Sequence, residues 1–143
     1  MPNLNPYTAE AAILSRLSSS LTDCTVAAAS ALSGRVDPTE YCPGVYLKPG
    51  EASVQTDALK QKLARREQTW QVHVLEVNHN GTDSLAATRA GDRIALVLDA
   101  LLGWSPGEGY SAMAYAGEDE PDYLDGYALF TVNFSVKQMV KAI

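Results

Sequence analysis

The chain has 143 residues, 46% of them hydrophobic, and a net charge of −6 from 11 Lys and Arg against 17 Asp and Glu. That length and apolar fraction suit one compact domain spanning 1–143, with a core that needs neither disulfides nor metals. The acidic balance disfavours direct nucleic-acid recognition and attachment to an anionic membrane, which both need Lys and Arg in excess, and no run of about 18 apolar residues is present to cross a bilayer.

The opening Met1-Pro2-Asn3-Leu4-Asn5-Pro6 lacks the basic and apolar regions of a secretory signal, so synthesis in a cytoplasm is expected. The first helix is predicted from Asn5-Pro6 to about Ser19, capped by Asn5 or Thr8, with Pro6 tolerated in the first turn and Ile13, Leu14, Leu17 and Leu21 as its apolar stripe. Cys24 to Ala29 suits either a short strand or an Ala-rich helix. Gly34 to Pro43 reads as loop, and Val45-Tyr46-Leu47 as a brief strand ended by Pro49-Gly50. Cys24 and Cys42 are expected as buried or half-buried thiols rather than a disulfide.

Glu51 to Arg66 has few large apolar residues, with Leu59 and Leu63 its only helix-like spacing, and predicts a long exposed loop or arm at 51–66. Gln68 to Asn78 alternates as a strand should, with Trp70, Val72 and Val74 on one face and Gln71, His73 and Leu75 on the other. A turn at 78–81 leads to the main helix, predicted over about Asp83 to Leu102 with Ala87, Ala90, Ile94, Val97, Leu98 and Leu101 facing the core; Gly91 interrupts it, either delaying its start to Asp92 or bending it.

The helix ends in Leu101-Leu102-Gly103-Trp104-Ser105-Pro106. Gly103 suits the left-handed residue after a helix, Trp104 is expected to fold back on Leu98, and Pro106 stops the helix from resuming. Tyr110 to Ala116 reads as a strand, Gly117 to Asp125 as an acidic loop, and Tyr127 to Val136 as a last strand with Ala128, Phe130, Val132, Phe134 and Val136 on one face. The order of elements predicts an α+β domain. Its sheet, mixed or largely antiparallel and of about four to five strands, is covered by two main helices on one face.

The chain is poor in chemistry. His73 and His79 are its only histidines, and no Cys-x-x-Cys or His-x-x-x-His supplies a zinc site. No Gly-x-Ser-x-Gly elbow is present, and Cys42 with His73 is a chance pairing. Glycines 103, 107 and 109 lack the Lys-Ser or Lys-Thr of a phosphate loop. The run Glu118-Asp119-Glu120-Pro121-Asp122 fails the calcium-loop pattern, with Tyr123 at the sixth position and Leu129 at the twelfth. No cofactor and no catalytic residue is expected; an enzyme or ligand-binding domain would need a pocket near His73, Asp99 or Tyr110.

Charge is segregated instead. Lys60, Lys62, Arg65 and Arg66 form a basic cluster, Glu118, Asp119, Glu120, Asp122 and Asp125 an acidic one, and no Lys or Arg lies between Arg93 and Lys137. Either these are two unrelated solvated segments, or they meet across copies of the chain in a head-to-tail contact or meet oppositely charged neighbours, and so fix orientation during assembly.

The N-terminal helix with Tyr7 through Leu17, the Pro43-Gly44-Val45-Tyr46 strand entry, the Trp70-led strand, the Gly103-Trp104-x-Pro106 helix stop and the Tyr127 to Phe134 strand together resemble the tail terminator proteins of long-tailed bacteriophages, in particular the Mu-type family. The resemblance implies a structural virion protein, not an enzyme. It would form a ring, commonly of six copies, that caps the tail tube and ends its polymerisation. It would sit at the tail-neck junction after assembly in the host cytoplasm, and its partners would be itself, the tube protein, head-connector or neck proteins, and sheath protein if the tail is contractile. The resemblance carries no residue role beyond Gly103, Trp104 and Pro106 as fold determinants. Another neck, tail-completion or interaction domain is the nearest alternative.

Overall fold

The computed structural model describes residues 3–32, 38–56, 63–78 and 85–141. After a 3-10 turn at Pro6–Thr8 come helix α1 (Ala9–Ser20), strand β1 (Thr25–Ala28), 3-10 turns at Ala29–Leu32 and Pro38–Tyr41, and strands β2 (Gly44–Thr56) and β3 (Leu63–Asn78). Helix α2 (Ala86–Leu101) and strands β4 (Ala114–Glu118), β5 (Asp122–Tyr123) and β6 (Gly126–Lys141) complete the order. The expected α+β fold is present, with a mixed six-stranded sheet in the order β1-β2-β3-β6-β4 and β5 also on β6. Only the β1–β2 pair is parallel among the described strands.

Asn5 caps the first turn, its side chain accepting from the Tyr7 amide at 3.0 Å. Of the predicted stripe, Ile13, Leu17 and Leu21 are buried and Leu14 is half-buried. The even-numbered face of β3, Trp70, Val72 and Val74, joins Val45 and Leu47 of β2, Phe130, Val132 and Phe134 of β6, and Val97 and Leu101 of α2 in one core. Each large apolar side chain fully buried there contributes roughly 1.5–3 kcal/mol. The helices therefore lie on one face of the sheet, and the other face carries half-buried polar residues such as Gln71, His73 and Asn133.

Several boundaries differ from the sequence reading. Cys24 to Ala29 is chiefly strand, because β1 pairs its Val26 and Ala27 with Val45 and Tyr46. The strand at 45–47 does not stop at Pro49-Gly50: the register shifts between Pro49 and Ala52 in a bulge, and pairing continues to Thr56 opposite Ala64. The loop expected at 51–66 is therefore strand at 51–56 and 63–66, with β3 paired on its far side to β6 as far as Lys141. Those stretches lack apolar alternation because they extend past the helices, and backbone pairing rather than burial holds them.

The expected turn at 79–81 and the start of the helix at 83 lie outside the described residues, as do residues 34–37 of the loop expected at 34–43. Helix α2 runs unbroken through Gly91, where an added Cβ would meet no atom within 4 Å. Its buried line is Ala86, Ala90, Val97, Ala100 and Leu101, while Ala87 is exposed and Ile94 and Leu98 are half-buried. In place of a strand from Tyr110, a single bridge joins Tyr110 to Gln138 before β4 begins at Ala114. The acidic segment is not all loop: Gly117 and Glu118 end β4, and Asp122 and Tyr123 form β5.

Candidate interaction surfaces

The helix stop behaves locally as its sequence dictates. Gly103 sits at φ +78°, its amide donates to the Met113 carbonyl at 2.9 Å, and the Met113 amide returns a 2.8 Å bond to Trp104 O. Trp104 is half-buried, and the Arg16 guanidinium lies 5.3 Å from its ring centroid. Arg16 Nε also donates to Ala100 O at 2.9 Å, so this corner ties α1 to the end of α2. Pro106 is half-buried in the following turn.

The two basic residues at 65 and 66 separate. Arg65 is exposed, in register with Met139 of β6 and Gln55 of β2, and has no ion pair among the described residues. Arg66 points to the other face and is engaged within the chain: Nη2 donates to Gln68 Oε1, Nη1 to Gln138 Oε1 at 3.5 Å, and the guanidinium lies over the Tyr7 ring. Buried Gln68 in turn donates to Gly50 O at 2.7 Å, and buried Gln138 to Leu4 O at 3.2 Å. Lys60 and Lys62 lie outside the described residues.

Glu118, Asp119, Glu120, Asp122 and Asp125 are all exposed, along the sheet edge that β4 and β5 form. Glu118 accepts from Tyr115 O–H, a bond that pushes the Tyr115 phenol pKa up. Asp119 accepts from Asn133 Nδ2 at 3.0 Å. Asp122 stands opposite Leu129, whereas Arg65 stands opposite Met139. Glu118 stands opposite Val132, so seven to ten residues of one strand, about 23–33 Å at 3.3 Å per residue, separate Arg65 from these acids. Arg65 and these acids cannot meet within one chain.

His73, Asp99 and Tyr110 do not converge. His73 lies half-buried on the outer face of the sheet, its Nδ1 2.9 Å from Thr131 Oγ1; burial lowers its pKa, aided by Lys48 and opposed by Asp119. Asp99 is exposed on α2, across the sheet from it. Tyr110 O–H donates to Asn5 O at 2.9 Å, which fastens the N-terminal segment to the edge of β6. Cys24 and Cys42 are half-buried thiols, and burial raises the Cys24 pKa against the lowering effect of Arg93.

One charged cluster has no counterpart in the sequence reading. Glu76, 3% exposed at its side chain, pairs with Arg89 at 3.2 Å and with Arg93, and Arg93 reaches Asp23 at 3.3 Å. Its signal lies in the strand pattern: Glu76 shares the face of Trp70, Val72 and Val74, so a carboxylate there requires a cation, and Arg89 and Arg93 are one helical turn apart. The cluster joins β3, α2 and the entry to β1, and is structural.

A chain in the solved structure "Virion of native gene transfer agent (GTA) particle" shares this fold, with a TM-score of 0.58 and 16% identity over 91% of this chain and 93% of that one. No curated protein sequence matches the chain. The family model described as "Phage tail terminator protein" matches residues 4–142, nearly the whole fold from the Asn5 cap to the end of β6. The chain belongs to the phage tail terminator family, and is a structural protein of the virion tail.

Proposed function

We propose that this protein ends the phage tail tube: a ring of its own copies, commonly six, stops tube polymerisation and presents a face to the head connector. The carrying observation is the placement of an exposed cation at one end of the sheet and five exposed acids at the other. A subunit with a donor patch and an acceptor patch on different surfaces makes head-to-tail contacts, which close into a ring when the rotation permits. The body between them is rigid, with β3 and β6 paired over their full lengths, so the angle between neighbours is set by the fold.

In this reading the partners are the tube protein on one face and head-connector or neck proteins on the other, with sheath protein added if the tail is contractile. The site of action is the tail-neck junction, after assembly in the host cytoplasm. No catalytic step is involved.

The test is polymerisation of the phage's tube protein with and without this protein, followed by negative-stain microscopy. The reading expects shorter tubes that carry a hollow ring at one end. Tubes of unchanged length with bare ends would reject it.

A further inference from the structure

A groove of about 350 Å³ runs beside the last third of β6, between Arg65, Lys137 and Met139 on the strands and Gly109, Tyr110 and Ser111 at the edge. The floor is fixed: Ser111 N donates to Lys137 O at 2.9 Å, Lys137 N donates to Ser111 Oγ at 2.9 Å, and Tyr110 O–H is held by Asn5 and Thr8. Beyond the groove the edge of β6 is closed, because the Asn3 side chain both donates to Lys141 O and accepts from Lys141 N, at 2.9 Å each. That amide occupies the place of a pairing strand, so what docks here reads side chains rather than extending the sheet.

The described lining carries two cations and no acid. Arg65 and Lys137 are exposed and have no ion pair among the described residues. Glu67 faces Lys137 across the strands, and Arg65 has Met139 and Gln55 opposite. The groove thus favours an anion. The chain itself carries one: the 118–122 edge is exposed, held by strand pairing at both ends, and its Glu120 and Asp122 side chains make no hydrogen bond among the described residues. The net charge of −6 means that copies repel on average, so their association is favoured where a cationic patch meets an acidic one.

We propose that the Arg65–Lys137 groove of one copy receives the Glu120–Asp122 edge of a second copy of this chain. The proposal rests on the ring reading above and names its contact. Arg66, the adjacent basic residue, is excluded from it because its guanidinium is spent within the chain.

The test uses two full-length variants. The groove variant carries Arg65→Glu and Lys137→Gln; glutamine is chosen because a carboxylate at 137 would face Glu67 and disturb the fold itself. The edge variant carries Glu120→Lys and Asp122→Lys. Circular dichroism and melting establish that each is folded, and light scattering at low salt follows assembly, with tube protein added where the chain alone stays monomeric.

Each variant alone is expected to assemble at least tenfold less tightly than the parent. An equimolar mixture is expected to recover, because alternating copies satisfy both the reversed and the native contact. Folded variants that assemble like the parent, or a mixture that does not recover, overturn the proposal and leave the ring reading standing. A parent that stays monomeric even with tube protein overturns both.

Discussion

The Arg66 guanidinium sits 5.7 Å from the centroid of the Tyr7 ring, so a residue that reads in sequence as part of a basic arm clasps the N-terminal segment onto the sheet. Its hydrogen bonds to Gln68 and Gln138 link it to two buried amides. Arg66→Ala removes donors from both and is expected to cost about 2 kcal/mol of stability. Arg65→Ala, at an exposed position with no ion pair among the described residues, should stay within about 0.5 kcal/mol of the parent. Urea unfolding midpoints of the two variants check the contrast; equal losses would contradict it.

The buried pair between Glu76 and Arg93 predicts a larger loss. Glu76→Ala strands the Arg93 guanidinium, 11% exposed, without a counter-charge on β3, and should destabilise by about 3–5 kcal/mol. Asp23→Ala removes only the solvent-facing partner, whose side chain is 67% exposed, and should cost about 1 kcal/mol or less. Thermal unfolding of the two separates a buried charge from a surface one.

Glycine substitutions should act in opposite directions. A methyl group on Gly44 would stand 2.5 Å from Tyr41 O and from Tyr46 Cε2, inside the contact where Tyr46 O–H donates to Tyr41 O. Gly44→Ala is therefore expected to cost about 1–3 kcal/mol. Gly91 is exposed in the middle of α2 with open space around it, and Gly91→Ala should stabilise by up to about 1 kcal/mol through helix propensity. Melting temperatures moving the same way would refute this.

Acid should weaken the fold partly through His73. Burial holds its pKa below the ordinary 6.5, so the unfolded chain takes up this proton at a higher pH than the folded one. The contribution of the neutral imidazole is fully present above 6.5 and is lost as pH falls from there through the folded pKa. His73→Gln should flatten the decline in melting temperature between about pH 7 and pH 5 relative to the parent. An unchanged slope would remove His73 from the account.

Much of this fold is legible in the sequence where apolar periodicity is strong. The Trp70, Val72 and Val74 alternation and the face of Ala128 to Val136 place the two central strands, and Ile13, Leu17 and Leu21 place α1. Periodicity cannot reveal strand at 51–56 and 63–66, because those residues are held by backbone pairing within the sheet rather than by burial. For the same reason the acidic segment conceals β5. The wide stripe of α2 overstates its buried face: Ala87 is exposed and Ile94 and Leu98 only half-buried, since the helix meets the sheet along the line of Ala86, Ala90 and Val97. Of the charged residues, sequence pattern finds the acidic edge but cannot distinguish exposed Arg65 from engaged Arg66. Adjacent strand residues face opposite sides, and that distinction requires knowing 63–66 to be a strand.

The claim that copies of this chain join head to tail into a closed ring is tested most directly by its mass in solution, measured by light scattering over a range of salt, alone and with tube protein. The account predicts a discrete species of about six chain masses that loosens as salt rises, as contacts between exposed charges should. A single-chain mass under every condition, or an open series of masses that never closes, would contradict it.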